Sequence, residues 1–233
     1  MEETISRRLF LKKAAITAGV IGLTGIIGAD AGKRALMEPE IEFPRKIITK
    51  DDKMIRMLVT YASKCGSTGE IAAVLGEELS KGGFAVDIFP VDEIQTLKPY
   101  EFVVLGTALR FEKPLNEMMN FISKYKRDIS DKKIAYFSTG VYMRDPSIEN
   151  QNKTRKMLEP LKVSLPEPVS EAMFAGKVDY KKIAPFWRFL ISMDSSGLMR
   201  EGDWRDWQVI HTWGKQLVEQ FSGKTTFYNG PIQ

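Results

Sequence analysis

Between residues 56 and 176, five short apolar runs alternate with segments of helical period. That alternation leaves few folds open other than a parallel sheet covered by helices on both faces. The runs are RMLVTY at 56–61, FAVDIF at 84–89, FVVLGTA at 102–108, KIAYFSTG at 133–140 and SEAMFAG at 170–176. Helical spacing predicts helices over 70–81, with Ile71, Val74, Leu75 and Leu79 on one face, and over 115–126 and 149–161. Gly82 and Gly83 stop the first of them. A chain of 233 residues with 43% apolar content can bury one sizeable core, so one domain with an N-terminal extension is expected.

The chemistry is concentrated where the first run ends. Ser63, Lys64, Cys65, Gly66, Ser67 and Thr68 lie between that strand and its helix. Short hydroxyls, a glycine that lets backbone approach closely, and the free N–H groups of a helix start together make an anion site. A phosphate group is its natural occupant. The same residues also suit an ordinary helix start with Ser67 or Thr68 as N-cap. Neither GxxxxGK followed by Ser or Thr nor GxGxxG is present, which excludes the two commonest nucleotide loops. A single cysteine and a single histidine exclude an internal disulfide and argue against zinc or iron–sulfur centres, so the expected chemistry needs an organic cofactor or none. Cys65 beside Lys64 at a helix start has the setting of a lowered thiol pKa, without a neighbouring base in sequence. His211 reads as a packed or surface side chain, and a hydrolase triad lacks its GxSxG elbow. No run of five or six like charges points to nucleic acid.

The first thirty residues follow a different pattern. Arg7 and Arg8 precede Leu9, Phe10, Leu11 and Lys12, and an uncharged segment runs from Ala14 to Ala29. This resembles a twin-arginine export signal, with an AxA-like cleavage site after Ala31. Cleavage and retention as an anchor are both open: sixteen residues span about 24 Å of helix against a bilayer core of about 30 Å. The expected organisation is a signal peptide or anchor at 1–31, a charged linker at 32–53, a domain at 54–223 and a tail at 224–233. Export by this route places the protein in the periplasm or at the outer face of the cytoplasmic membrane, and such signals carry proteins that fold, with their cofactor, before export.

Residues 63–68 resemble the phosphate loop of flavodoxins, a Ser/Thr-rich turn after the first strand, with Cys65 departing from the middle hydroxyl. The resemblance implies a flavodoxin-like three-layer sandwich with a five-stranded parallel sheet of order 2-1-3-4-5 and flavin mononucleotide (FMN) at the carboxyl ends of the strands. It also implies that two further loops bracket the flavin ring: Thr107, Ala108, Leu109, Arg110 and Phe111 after the third strand, and Ser138, Thr139, Gly140, Val141 and Tyr142 after the fourth. Arg110 or Phe111 would cover one face and Tyr142 the other, though each also suits a plain packed or solvated loop. The reaction would be the flavin's own, with no catalytic acid or base and no metal.

Arg110 and Phe111, then Ala175, Gly176 and Tyr180, then Asp206 and Trp207 resemble the menaquinone-dependent protoporphyrinogen dehydrogenase group of flavodoxin-like proteins. This implies an FMN-dependent oxidoreductase passing electrons from an organic substrate to a quinone or other acceptor. The alternatives are an exported electron carrier serving protein partners and a binding module without flavin. The whole chain carries +4 and residues 1–31 contribute +1, so the remainder is basic where flavodoxins are acidic. Ile183, Phe186, Trp187, Phe189, Leu190 and Ile191 form an apolar stripe, either core or a peripheral membrane contact. Trp204, Trp207 and Trp213 are expected to anchor the last helix to the sheet.

Overall fold

The computed structural model describes residues 29–49, 51, 53–193, 197 and 199–223. The twin-arginine motif, most of the uncharged segment and the tail at 224–233 lie outside them. The described chain divides into two compact units, one made of residues up to Glu40 with Tyr180–Gly197, the other of Ile41–Asp179 with residues from 199 onward. Among the described residues no helix is long and apolar enough to cross a membrane. No group of three or more His, Cys, Asp or Glu side chains there is placed to hold a metal ion.

The larger unit is built on β1 (Lys46–Ile48), β2 (Arg56–Ala62), β3 (Ala85–Pro90), β4 (Phe102–Arg110), β5 (Lys113–Pro114), β6 (Lys133–Gly140) and β7 (Ser170–Ala175), which form one sheet. The expected five-stranded sheet of order 2-1-3-4-5 is therefore corrected: the sheet has seven strands on the path β1-β3-β2-β4-β6-β7, with β5 paired only to β4. Strands β3, β2, β4, β6 and β7 are mutually parallel, while β1 and β5 pair antiparallel. Both additions come from segments with no strand-length apolar run. β1 lies inside the stretch expected to be a tether, and β5 closes a two-residue hairpin on β4.

Helix α1 (Ala29–Leu36) belongs to the smaller unit. Helices α2 (Ser67–Lys81), α3 (Asn116–Lys124), α4 (Lys126–Ser130) and α5 (Ile148–Lys162) follow the strands of the larger one. The 115–126 helix expected from periodicity is broken at Tyr125 (φ −104°, ψ 20°), whose hydroxyl donates to the Ile94 carbonyl at 2.7 Å. Strands β8 (Lys177–Val178) and β9 (Gly202–Asp203) pair antiparallel in a separate two-stranded sheet, and α7 (Trp207–Phe221) follows β9; α6 (Pro185–Ser192) lies in the smaller unit beside α1.

Alternation along β2 divides the core. Met57, Val59 and Tyr61 face Ile71, Leu75 and Leu79 of α2 and Ile210, Trp213 and Leu217 of α7. Leu58 faces the opposite layer with Val103, Leu105, Met118, Phe121 and Leu158. Trp213 is fully buried among Phe137 and Phe174 and donates its indole N–H to Ser170 Oγ at 2.9 Å, so it does anchor the last helix. Trp207 is exposed and Trp204 lies outside both core clusters. In the smaller unit the apolar stripe divides: Ile183 and Phe186 are buried, Trp187, Leu190 and Ile191 are half-buried, and Phe189 is exposed.

Candidate flavin site

Strand register lines up Ala62, Thr107, Ser138 and Met173 across β2, β4, β6 and β7, so the three predicted loops leave the sheet side by side at its carboxyl edge. In an open α/β sheet this edge is where ligands sit.

The 63–68 loop turns through Gly66, whose φ of 89° is left-handed and therefore suited to a residue without Cβ. Ser63 Oγ accepts the Gly66 N–H at 3.0 Å, which closes the turn. The first backbone bond of α2 runs from Glu70 N to Gly66 O, and no side chain caps the helix. The alternative of a Ser67 or Thr68 N-cap is thus not what the chain adopts, and the first amides of α2 face the loop as an anion site requires. Lys64 reaches sideways to α3, with Nζ 2.5 Å from Glu117 Oε1. Burial works to raise the Glu117 carboxyl, but the hydrogen bond from Lys64, a backbone hydrogen bond and the charges of Lys64 and Arg110 together outweigh it and hold the group below the ordinary carboxylate range. Cys65, the chain's single cysteine, is half-buried.

Thr68 is buried completely, and its hydroxyl meets that of Thr139 at 2.7 Å. This bond ties the start of α2 to the carboxyl end of β6. Thr107 Oγ1 donates to the Ala108 carbonyl at 3.2 Å and accepts the Leu115 N–H at 3.3 Å, fixing the start of α3. Next to it in register, Ser138 has a buried Oγ with no hydrogen-bond partner among the described residues. A buried, unsatisfied hydroxyl costs about 1–3 kcal/mol, and a ligand at this edge would supply the missing partner.

Leu109 covers Gly140: a Cβ on Gly140 would stand 3.4 Å from Leu109 Cδ1, so the two ring-bracketing loops touch. Beyond Leu109 the chain reverses through Phe111 (φ 52°) and Glu112 (φ 61°) to pair Arg110 with Lys113. Two-residue hairpins of this kind favour Asn-Gly, and holding Phe and Glu there stores strain of about 1–3 kcal/mol per residue. Phe111 is exposed, with the Arg110 guanidinium 5.3 Å from its ring centroid. Tyr142 is half-buried under Lys153 Nζ, 5.8 Å from its ring, and burial, with Glu112 nearby, pushes its hydroxyl above the usual tyrosine value.

Several residues next to this edge were not read as site residues from the sequence. Gly176 lies against the phosphate loop, where a Cβ would stand 3.5 Å from Ser67 Oγ. Trp204 N donates to the Gly176 carbonyl at 3.3 Å, and the Arg144 guanidinium lies 5.0 Å from the Trp204 ring. Arg205 bonds Glu70 in the first turn of α2. Gly176, Asp206 and Trp207 were marked in the sequence by the family resemblance alone, and Arg144 and Arg205 carried no signal of their own. His211 sits away from this edge, 3.1 Å from Glu78, between α7 and α2.

These donors fit FMN. The uncapped amides of α2 behind Gly66 suit a phosphate, the orphaned Ser138 hydroxyl suits a polar ring edge, and Gly140 and Gly176 leave space where a side chain would intrude.

A model of the flavodoxin domain family matches residues 58–203. Protoporphyrinogen IX dehydrogenase [quinone] of Escherichia coli (strain K12) is 23% identical over 172 residues, covering 70% of this chain and 95% of that protein. Among solved structures, a flavodoxin from the domain Archaea shares 17% identity with a TM-score of 0.43, covering 72% of this chain and 99% of the other. Oxidised flavodoxin 1 from Bacillus cereus shares 12% with a TM-score of 0.44, over 73% and 99%.

Proposed function

The chain belongs to the flavodoxin domain family, and on that premise we propose that it is an FMN-dependent oxidoreductase of the protoporphyrinogen dehydrogenase type, passing electrons from an organic substrate to a quinone or another acceptor. The observation that carries the flavin part is the meeting of an uncapped helix start, a left-handed Gly66 and two loops in contact through Leu109 and Gly140 at one sheet edge. When bound, the flavin supplies hydride and single-electron chemistry that no side chain of this protein offers. The protein's part is to hold and shield. The first amides of α2 bind the phosphate, Ser63 keeps Gly66 turned toward it, and Ser138 offers its hydroxyl to the ring edge. Leu109 and Gly140 bring the ring loops together, while Phe111 and Tyr142 present aromatic surface beside them. The dehydrogenase assignment draws on the E. coli relative and on the Arg110–Phe111, Ala175–Gly176 and Asp206–Trp207 matches.

Export by the twin-arginine route, with retention at the outer face of the membrane, belongs to the same proposal. Arg7, Arg8 and the segment they precede support the route. Retention is supported by α1, whose helical backbone spans the expected cleavage point after Ala31, because proteolysis favours exposed, unstructured chain. The exposed Phe189 and Met193, beside exposed Arg188, suit a contact with an anionic lipid surface.

The test is direct. Protein folded in the cytoplasm is purified, its flavin released by denaturation and identified, and protoporphyrinogen IX oxidation is followed by porphyrin fluorescence with and without a menaquinone analogue. Bound FMN with quinone-dependent oxidation is expected. FMN without oxidation would replace the enzyme by an electron carrier, and no flavin would overturn both.

A further inference from the structure

The first turn of α2 carries a carboxylate, Glu70, on the turn whose amides face the anion position. Left alone, that charge would repel a phosphate dianion. Arg205, 135 positions away in the chain, answers it: Nη1 lies 2.5 Å from Glu70 Oε2. The same guanidinium grips Asp203 through Nε–Oδ1 at 2.8 Å and Nη2–Oδ2 at 2.5 Å. Its side chain is only 4% exposed and lies over Trp207, 4.4 Å from the ring centroid.

The surrounding chain holds Arg205 in place from both sides. Upstream, Trp204 N is bonded to the carbonyl of Gly176, the residue that lies against Ser67. Downstream, Asp206 caps α7 by accepting the Val209 N–H at 3.0 Å. A buried arginine with its planar fork locked on one carboxylate and its free edge on another is a fixed charge, not a solvated one.

We infer that Arg205 is a positioning residue for the cofactor: shared between Glu70 and Asp203, it offsets one of their two negative charges so that the start of α2 remains attractive to the flavin phosphate. This rests on the flavin-binding reading of the site. Losing the guanidinium adds one net negative charge beside the helix start, and the added repulsion of a dianion there weakens binding on the order of tenfold, less as salt is added.

The experiment titrates FMN and riboflavin, which lacks the phosphate, into flavin-free full chain in four forms: unmodified, Arg205→Gln, Glu70→Gln and the double variant. Arg205→Gln should lose about tenfold in FMN affinity at low salt and keep its riboflavin affinity. Glu70→Gln should bind FMN at least as tightly as the unmodified chain, and the double variant should recover most of the loss. Equal FMN affinity in Arg205→Gln and the unmodified chain overturns the inference. So does a joint loss of FMN and riboflavin that Glu70→Gln does not rescue, which would make Arg205 a packing residue. Equal affinity of the unmodified chain for FMN and riboflavin also overturns it while leaving flavin binding intact. Binding of neither flavin overturns the flavin reading itself.

Discussion

The buried hydroxyl pair of Thr68 and Thr139 permits a prediction that separates structural from cofactor roles. Both residues are buried, Thr68 fully and Thr139 at 3% exposure, and their oxygens are 2.7 Å apart. Thr68→Val keeps the shape but strands the Thr139 hydroxyl, and Thr139→Val strands that of Thr68. Each single change should cost about 1–3 kcal/mol, mostly the desolvation of the orphaned partner. The double variant replaces both hydroxyls with apolar groups of the same shape and should lie within about 1 kcal/mol of the unmodified protein. The cycle should therefore show a coupling of at least about 1 kcal/mol, far from additive. Urea unfolding of the flavin-free protein, followed by tryptophan fluorescence, measures it. Additive single effects would refute the pairing. FMN titration adds a second reading: if the double variant binds FMN as poorly as Thr68→Val alone, the Thr68 hydroxyl serves the phosphate and not Thr139.

Gly106→Ala would place a Cβ 2.3 Å from Phe137 Cζ, and that fully buried ring is itself backed by Trp213 and Phe174. A loss of about 1–3 kcal/mol in thermal or urea unfolding is expected, and Phe137→Leu in the same protein should recover part of it. Acid should weaken the protein in a defined window. Hydrogen bonding to Arg205 lowers the Asp203 carboxyl, and hydrogen bonding to Lys81 lowers that of Glu78. Depressed folded-state values stabilise above the unfolded carboxylate pKa of about 4, and the contribution is lost as pH falls through the lower folded values. Melting temperature should thus hold from about pH 7 to 5 and fall below about pH 4. Asp203→Asn should lessen the acid dependence, and an unchanged profile would remove Asp203 from the account.

Much of the frame was readable from local pattern. The runs at 56–61, 102–108 and 133–140 became β2, β4 and β6 with ends shifted by two residues at most, because a strand buried on both faces must be apolar almost throughout. The first helix was placed correctly along most of its length by Ile71, Leu75 and Leu79, all fully buried. The 63–68 loop followed, since it begins where a buried strand stops, whereas Thr107–Arg110 and Ser138–Gly140, expected as loops, are the last residues of β4 and β6 because strand pairing continues through them.

Pairings between distant residues were not readable. β1 is three residues long, and two of its side chains are exposed, so it has no apolar run of its own; its place comes from hydrogen bonds to β3. The hairpin at Phe111 and Glu112 carries none of the glycine or asparagine that marks such turns, because β4 and β5 impose it against local preference. Tyr125 breaks a helix that its neighbours favour, since its buried ring and hydroxyl are held elsewhere.

By itself, the sequence determined that this chain makes a mostly parallel sheet with a hydroxyl-rich loop at the start of its first long helix. Periodicity and turn chemistry act over a few residues, so they survive reading along the chain. The tertiary structure alone decided which groups in that loop remain open to a ligand. Thr68 is matched to Thr139, Glu70 to Arg205 and Lys64 to Glu117, whereas the helix start behind Gly66 has no side-chain cap and Ser138 at the neighbouring strand end has no partner among the described residues. Hydrogen bonds and ion pairs are settled by distance in space, and in this fold residues 53 to 135 positions apart are brought to within 3 Å of one another.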